Sequence, residues 1–364
     1  MPRMITGTAG VSPVRLLHPD PETAREDSRL TDLGWSPAGR DVLGPPTVLA
    51  VELDSPVARV RGVVAVWDVH DPPQGGGLVP HEQTDPRAVR RRVRALRTAH
   101  LDQDPLLLTH RGGGVVGQLT DGAATPVYEV TDGRRHVRVL QLDDAAGQTV
   151  IEHLAGGSFL VADGHHRLAA AVQLRGEGSA SQVTALVVDA DDTPLLLGPI
   201  HRVLLDEQGR GRVEDAVVAS VLKRCRGAGA VVVEQDDPGV GGSSVVLVHG
   251  RSRWTVTWPH HPRTDVTTLV EHVLDDTVRS RTRREPDTGK AVAAATAGAL
   301  SCLLPPPDLD EVLTLARRGA LLPYKATAFE PKLPPGSLVR PLPGWTPRES
   351  TPRESTPRES TPRD

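Results

Sequence analysis

The apolar positions of this chain fall into short Val- and Leu-rich runs divided by turn residues, with a few helical stretches between them. Two runs, Val48–Leu53 and Val57–Trp67, alternate well enough to be strands around a turn at Asp54-Ser55-Pro56. Asp85-Pro86 opens a predicted helix, because Asp caps the first amides and Pro suits the first helical position. Val89, Val93 and Leu96 carry that helix at the right spacing to about His100. Pro105–Leu108 reads as a short buried strand, and Val127–Val130 with His136–Leu142 as a hairpin across Thr131-Asp132-Gly133. Ser158–Ala162 is predicted as a strand, followed by a helix that carries Leu168, Ala171 and Val172 on one face and stops at Gly176. Val183–Val188 is a further strand.

A second α/β stretch runs from about residue 205 to 340. It has a helix near 212–226, strands at Ala230–Glu234, Ser244–Val248 and Trp254–Trp258, and a helix at Leu309–Arg318. Residues 1–45, rich in Pro, Asp and Arg, are expected to wrap the body as loops. From Thr346 the chain repeats Thr-Pro-Arg-Glu-Ser, a pentapeptide that buries nothing, so the tail is expected to be disordered.

Composition narrows the function classes. A chain of 364 residues suggests two or three packed units. Its net charge of −4 disfavours a nucleic-acid scaffold, which needs an excess of basic residues on one face. Cys225 and Cys302 are the only cysteines, too few for a disulfide framework or a multi-cysteine metal site. No apolar run is long enough to span a bilayer and Met1–Pro13 lacks a secretory core, so the expected compartment is the cytoplasm. Lysine is scarce beside arginine: only Lys223, Lys290, Lys325 and Lys332 occur, and two of them share Pro-Tyr-Lys-Ala-Thr-Ala-Phe-Glu-Pro-Lys at 323–332. Such survivors point weakly to chemistry that the planar guanidinium cannot supply.

Several motif matches fail on context. Gly112–Gly117 fits a dinucleotide fingerprint in letters, but the residues after it read as turn and strand rather than as the required helix. Gly289-Lys290 lacks the first Gly and the hydroxyl residue of a P-loop. His81-Glu82 lacks the second His of a zinc-protease helix, and there is no Gly-x-Ser-x-Gly elbow. The arginines of the 86–100 helix read as a solvated face.

Asp163-Gly164-His165-His166-Arg167 differs in kind. A strand ends in an acid, turns on Gly and enters a helix whose unpaired amides and dipole favour an anion. Gly164 permits close backbone approach, Arg167 can chelate phosphate oxygens, and Asp163 can hold Mg²⁺ or orient an imidazole. His201-Arg202 reads as a basic pair at a strand end. Lys325, Thr327 and Lys332 suit a phosphate or a substrate carboxylate.

These pieces occur together in a known order. Pro80-His81-Glu82, the helix after Asp85-Pro86, the Pro105 strand and Ala162–Arg167 follow one another as in the ParB/sulfiredoxin-like fold. More closely, the chain resembles the family known as domain of unknown function 1015. That family carries Ala-Asp-Gly-His-His-Arg, a His-Glu upstream, a later His-Arg and a C-terminal Pro-x-Lys-Ser-Thr-x-Phe-x-Pro-Lys. The four stand here at 162–167, 81–82, 201–202 and 323–332, with Ala326 in place of Ser and Leu168 where the family has an aromatic.

The resemblance implies an α+β fold: a ParB/sulfiredoxin-like core at 61–205, an N-terminal wrapping segment at 1–60, a C-terminal α/β segment at 206–342 and a disordered tail at 343–364. Relatives of this fold include free-serine kinases, in which a Glu matching Glu82 is the general base and the Asp-Gly-His loop binds nucleotide phosphates. The implied activity is a phosphotransferase between ATP or ADP and a small hydroxylated metabolite, with free serine or O-phosphoserine preferred. Glu82, His165 and His166 are the expected catalytic groups. Asp163, Gly164, Arg167, His201, Arg202, Lys325, Thr327 and Lys332 are expected to bind phosphates, with Mg²⁺ on Asp163. A non-catalytic nucleotide sensor, or transfer to water as in a phosphatase, are the alternatives.

Overall fold

The computed structural model describes residues 11–17, 44–69, 77–120, 124–176, 182–236, 244–259, 270–274, 278 and 280–343. Most of the expected wrapping segment and the repeat tail from residue 344 lie outside them. Among the described residues the chain is mixed α/β, with two main sheets.

The first sheet has nine strands. Its order in space is Gly77–Val79, Ser158–Asp163, Leu106–His110, Gln182–Asp189, Arg59–Asp68, Leu49–Asp54, Arg135–Leu142 and Ala124–Asp132, with Val11–Ser12 also on Arg59–Asp68. The central strand is buried on both faces because its alternation serves two cores. Val60, Val64 and Val66 enter one cluster, while Val63, Ala65 and Trp67 enter the other. Gly62 sits where a Cβ would meet the Val187 carbonyl oxygen at 2.3 Å, so this position has room only for hydrogen. One face of the sheet is covered by the helices Asp144–Leu154 and His165–Gly176, through Val150, Ile151, Leu168 and Ala171. The other is covered by the helix Leu309–Arg317 and by Leu322, Ala326 and Phe329.

The second sheet has six strands, in the order Val231–Glu234, Ser252–Thr257, Ser244–His249, Leu300–Leu303, His201–Leu204 and Thr282–Glu285. The helices Asp215–Gly227 and Thr288–Thr296 pack on it.

Most elements follow the pattern, and the departures have physical causes. The helix Pro86–Ala99 begins as expected: Asp85 accepts from the Arg87 amide at 2.8 Å, and His100 ends it in the left-handed region at φ 50°. Two helices escaped the sequence reading, Asp144–Leu154 and Thr288–Thr296, each capped by the preceding Asp. The glycine run is followed by a short helix, Val115–Thr120, against expectation. It is still no phosphate cradle, because Gly112 and Gly114 donate their amides to Asp189 at 3.0 and 2.9 Å, and Gly113 donates to Asp191 at 3.0 Å.

The packing also redraws the expected division. Leu49–Asp54 is an interior strand and no wrapping segment, so the first core starts well before residue 61. After Leu304 the chain returns to that core, where Thr327–Glu330 pairs with Leu196–Pro199 and Val339–Pro341 with Leu101–Gln103. This return carries the 323–332 motif back to the Asp163 turn.

Candidate functional site

The strand Ser158–Asp163 delivers Asp163 to the end of the sheet, and Gly164, at φ +106°, turns the chain into the helix His165–Gly176. A Cβ there would lie 2.5 Å from Leu106 Cδ2 as well as in a backbone region that L-residues avoid. Arg167 and Leu168 donate their amides to the Gly164 carbonyl. The amides at the very start of the helix have no helical partner and add their positive dipole end to the turn.

This turn opens on a cleft of about 560 Å³. Six cationic side chains line it, Arg91, Arg92, Arg167, Arg284, Lys325 and Lys332, against the four carboxylates of Glu82, Asp104, Asp163 and Glu330. Gly164, His165, His166 and Thr327 line it too. Nine of the eleven expected site residues are thus brought together: Glu82, Asp163, Gly164, His165, His166, Arg167, Lys325, Thr327 and Lys332.

His201 and Arg202 are not among them. They open a buried strand of the second sheet. His201 bonds Thr288 and the Leu304 amide, while Arg202 donates to Glu271 at 2.5 Å and to the Ile200 carbonyl. Arg202 is 1 % exposed and neither residue lines the cleft, so the structure places this pair in the second sheet rather than beside the other nine.

Inside the cleft the groups are already committed to one another. Asp163 Oδ1 takes Lys332 Nζ at 2.9 Å and Oδ2 takes Arg167 Nη2 at 2.5 Å. Burial raises the Asp163 carboxyl, but the charges of Arg167 and Lys332 outweigh it and hold the group below its ordinary range.

The imidazoles act first as straps. His165 Nε2 accepts the His81 amide at 3.3 Å, and His166 Nε2 accepts the Asp85 amide at 3.0 Å. Each neutral ring therefore keeps its proton on Nδ1, where it can donate. Burial lowers His165 to about 4 and His81 to about 3, so both are neutral near pH 7. Burial also lowers His166; among the charges around it, Lys325, Arg92 and Arg91 add to that effect, while Asp85 opposes it.

Glu82 lines the same cleft. Lys325 adopts φ 54°, and three successive amides converge on the carboxylate: Ala326 and Thr327 donate to Oε1 at 3.1 and 2.7 Å, and Lys325 donates to Oε2 at 3.2 Å. The Thr327 hydroxyl donates to Oε1 at 2.5 Å and, its own proton so placed, accepts from His81 Nε2 at 2.7 Å. Burial pushes the Glu82 carboxyl up, opposed by these four hydrogen bonds. Oε1 is saturated; Oε2 retains acceptor capacity.

Asp163 is a poor Mg²⁺ ligand as it stands, since both its oxygens are held by cations, and Mg²⁺ demands carboxylates or phosphates to replace its waters. Among the described residues no group of three or more His, Cys, Asp or Glu side chains is arranged to hold a metal ion. The expected metal site is thus not supported by the residues present.

Sequence reading missed Arg91, Arg92, Arg284 and Tyr324. Arg91 and Arg92, expected to be solvated, face the cleft because the helix packs against the Asp163 helix through Val89, Val93, Ala170 and Leu174. Arg284 comes from the second sheet, donates to the Tyr324 carbonyl at 3.1 Å and lies 5.1 Å over the Tyr324 ring. No local signal marks it, because its partner is forty residues away.

No helix among the described residues is long and apolar enough to cross a membrane. No curated protein matches the chain. Among solved structures, a free serine kinase mutant in complex with ADP is 16 % identical, covers 73 % of this chain and 87 % of its own, and has a TM-score of 0.46. The same mutant of a free serine kinase, in complex with AMP, is 16 % identical over 76 % of this chain and 90 % of its own, also at 0.46. A conserved hypothetical protein from Pyrococcus furiosus is 16 % identical over 76 % and 95 %, at 0.44. The family model described as protein of unknown function (DUF1015) matches residues 45–277, well over half of the chain, and the protein belongs to that family.

Proposed function

We propose that the protein is a phosphotransferase moving a phosphoryl group between a nucleotide, ATP or ADP, and the hydroxyl of a small metabolite, with free serine and O-phosphoserine as the preferred pair. In this reading the first sheet and its helices form a ParB/sulfiredoxin-like core. The observation that carries the proposal is the convergence of a helix start, two cations paired to Asp163 and a buried carboxylate, Glu82, in one cleft. Phosphoryl transfer needs chiefly positioning and charge stabilisation, which such a cleft supplies.

The acceptor hydroxyl attacks phosphorus, the bond to the nucleotide oxygen breaks, and the hydroxyl proton passes to Glu82 Oε2. The raised Glu82 carboxyl suits a base better than an ordinary one does. Lys332 and Arg167 exchange Asp163 for phosphate oxygens, and the Nδ1 protons of His165 and His166 are the remaining donors at the turn. Mg²⁺, where it takes part, arrives with the nucleotide phosphates.

A second reading, a non-catalytic nucleotide sensor, is favoured by one feature. Glu82 already accepts four hydrogen bonds that hold the 325–327 turn, which is a complete structural role by itself.

The test is turnover of serine with ATP or ADP and Mg²⁺, read as phosphoserine formation, for wild type and Glu82→Gln. Gln keeps the three Oε1 bonds and loses only the long Lys325 contact, so the variant folds. Its rate is expected to fall by more than about 10²-fold, roughly 3 kcal/mol of barrier. Nucleotide binding without turnover in the wild type selects the sensor instead.

A further inference from the structure

The cleft does not end at Arg167. Past Arg92, Ala95, Leu106 and Arg167, which line both spaces, it continues into a groove of opposite character. The groove runs between the helices Pro86–Ala99 and His165–Gly176, and its walls are mainly aliphatic: Leu96, Ala99, Ala171, Leu174 and Val183 among them. Small side chains on both facing helices keep the gap open where larger ones would close it. Ala95 and Ala99 stand one turn apart on the first helix, opposite Ala171 on the second. Gln103, Gln182 and Thr184 stand at its polar edge. Asp102 is there too, but its Oδ2 is taken up by the Thr184 amide and hydroxyl and by Arg340.

We infer that this groove is the seat of the nucleotide's base. The inference rests on the phosphotransferase reading and assigns the two halves of that ligand to two spaces. Phosphates lie in the cationic cleft, and the flat, weakly polar ring lies between the helices, with Arg167 at the join. The free volume of the groove is about 50 Å³. That is about a third of the ~150 Å³ of an enclosed apolar cavity that takes up benzene. A ring therefore enters by its edge and remains partly open to the cleft, which a flat base tolerates and a branched alkyl group does not. A charged acceptor such as an amino acid has no reason to leave the cleft for aliphatic walls.

Ala99 lines the groove but not the cleft. Binding of ADP and of inorganic pyrophosphate is to be measured by calorimetry on the full chain, for wild type, Ala99→Leu and the gentler Ala99→Val. Filling the groove is expected to weaken ADP at least about tenfold, 1.4 kcal/mol, with pyrophosphate changed less than about twofold. Retained pyrophosphate binding also shows that the variant folds. Unchanged ADP affinity in both variants, or equal loss of both ligands in both variants, overturns the groove assignment and leaves the cleft as a phosphate site. A wild-type protein that binds neither ligand removes the phosphotransferase reading, and the base site falls with it.

Discussion

Lys332 Nζ lies 2.9 Å from Asp163 Oδ1, and this contact joins the C-terminal motif to the strand–helix turn of the first sheet. With Arg167 on the other oxygen, Asp163 is the resident counter-ion of two cations that a phosphate would need. Asp163→Asn removes that competitor. Metal-free pyrophosphate binding is expected to tighten by roughly threefold to tenfold, with a steeper dependence on salt. Calorimetry in the presence of a chelator measures it. Weaker binding that appears only with Mg²⁺ would make Asp163 a metal ligand after all.

Gly164→Ala tests the turn itself. The new methyl meets Leu106 Cδ2 at 2.5 Å and Arg167 Nε at 3.0 Å while the backbone stays at φ +106°. A loss of about 1–3 kcal/mol is expected in denaturant unfolding. An unchanged midpoint would show that the turn relaxes freely.

Arg202 separates core support from ligand binding. Arg202→Met leaves the buried Glu271 with Arg284 at 3.6 Å as a remaining partner, and about 3 kcal/mol of stability should be lost. Affinity for pyrophosphate in the folded protein should be unchanged. A folded variant with lost affinity would return Arg202 to the phosphate site.

Stability should fall on acidification through a defined window. His81 and His165 are held at about 3 and about 4 in the folded protein, against 6.5 when unfolded. Between those values the unfolded chain binds protons that the folded chain refuses, so stability rises with pH there and levels off above about 6.5. On lowering the pH from 7 to 4, the His165 contribution alone is on the order of 3 kcal/mol. Asp163, whose folded value is also depressed, acts in the same direction at the acid end. Denaturant midpoints from pH 8 to pH 4 measure the effect, and His165→Gln, which still accepts the His81 amide, should flatten the curve. A flat wild-type profile would contradict the burial of these rings.

The local pieces of the site were legible because each depends on neighbours in the chain. The Asp85 cap, the Asp163-Gly164 turn and the run from Ser158 through Leu168 all follow from short-range hydrogen bonding and periodicity. The helix Asp144–Leu154 was missed although Asp143 and the Val150, Ile151, Leu154 stripe carry the same signals. The short helix after the glycine run has no such stripe.

Sequence alone determined that a strand ending in an acid feeds a helix start able to hold an anion, and that two late lysines stand apart in an arginine-rich chain. Only tertiary structure decided which groups fill those places. The amides of Gly112–Gly114 take carboxylates from Asp189 and Asp191, and the amides of 325–327 take Glu82 from 243 to 245 residues away. His201 and Arg202 are drawn into the second sheet, while Arg91, Arg92 and Arg284 turn toward the cleft. Donors and acceptors look alike in sequence whether a ligand or a distant segment satisfies them. The choice is made by packing, because burial makes an unpartnered polar group costly.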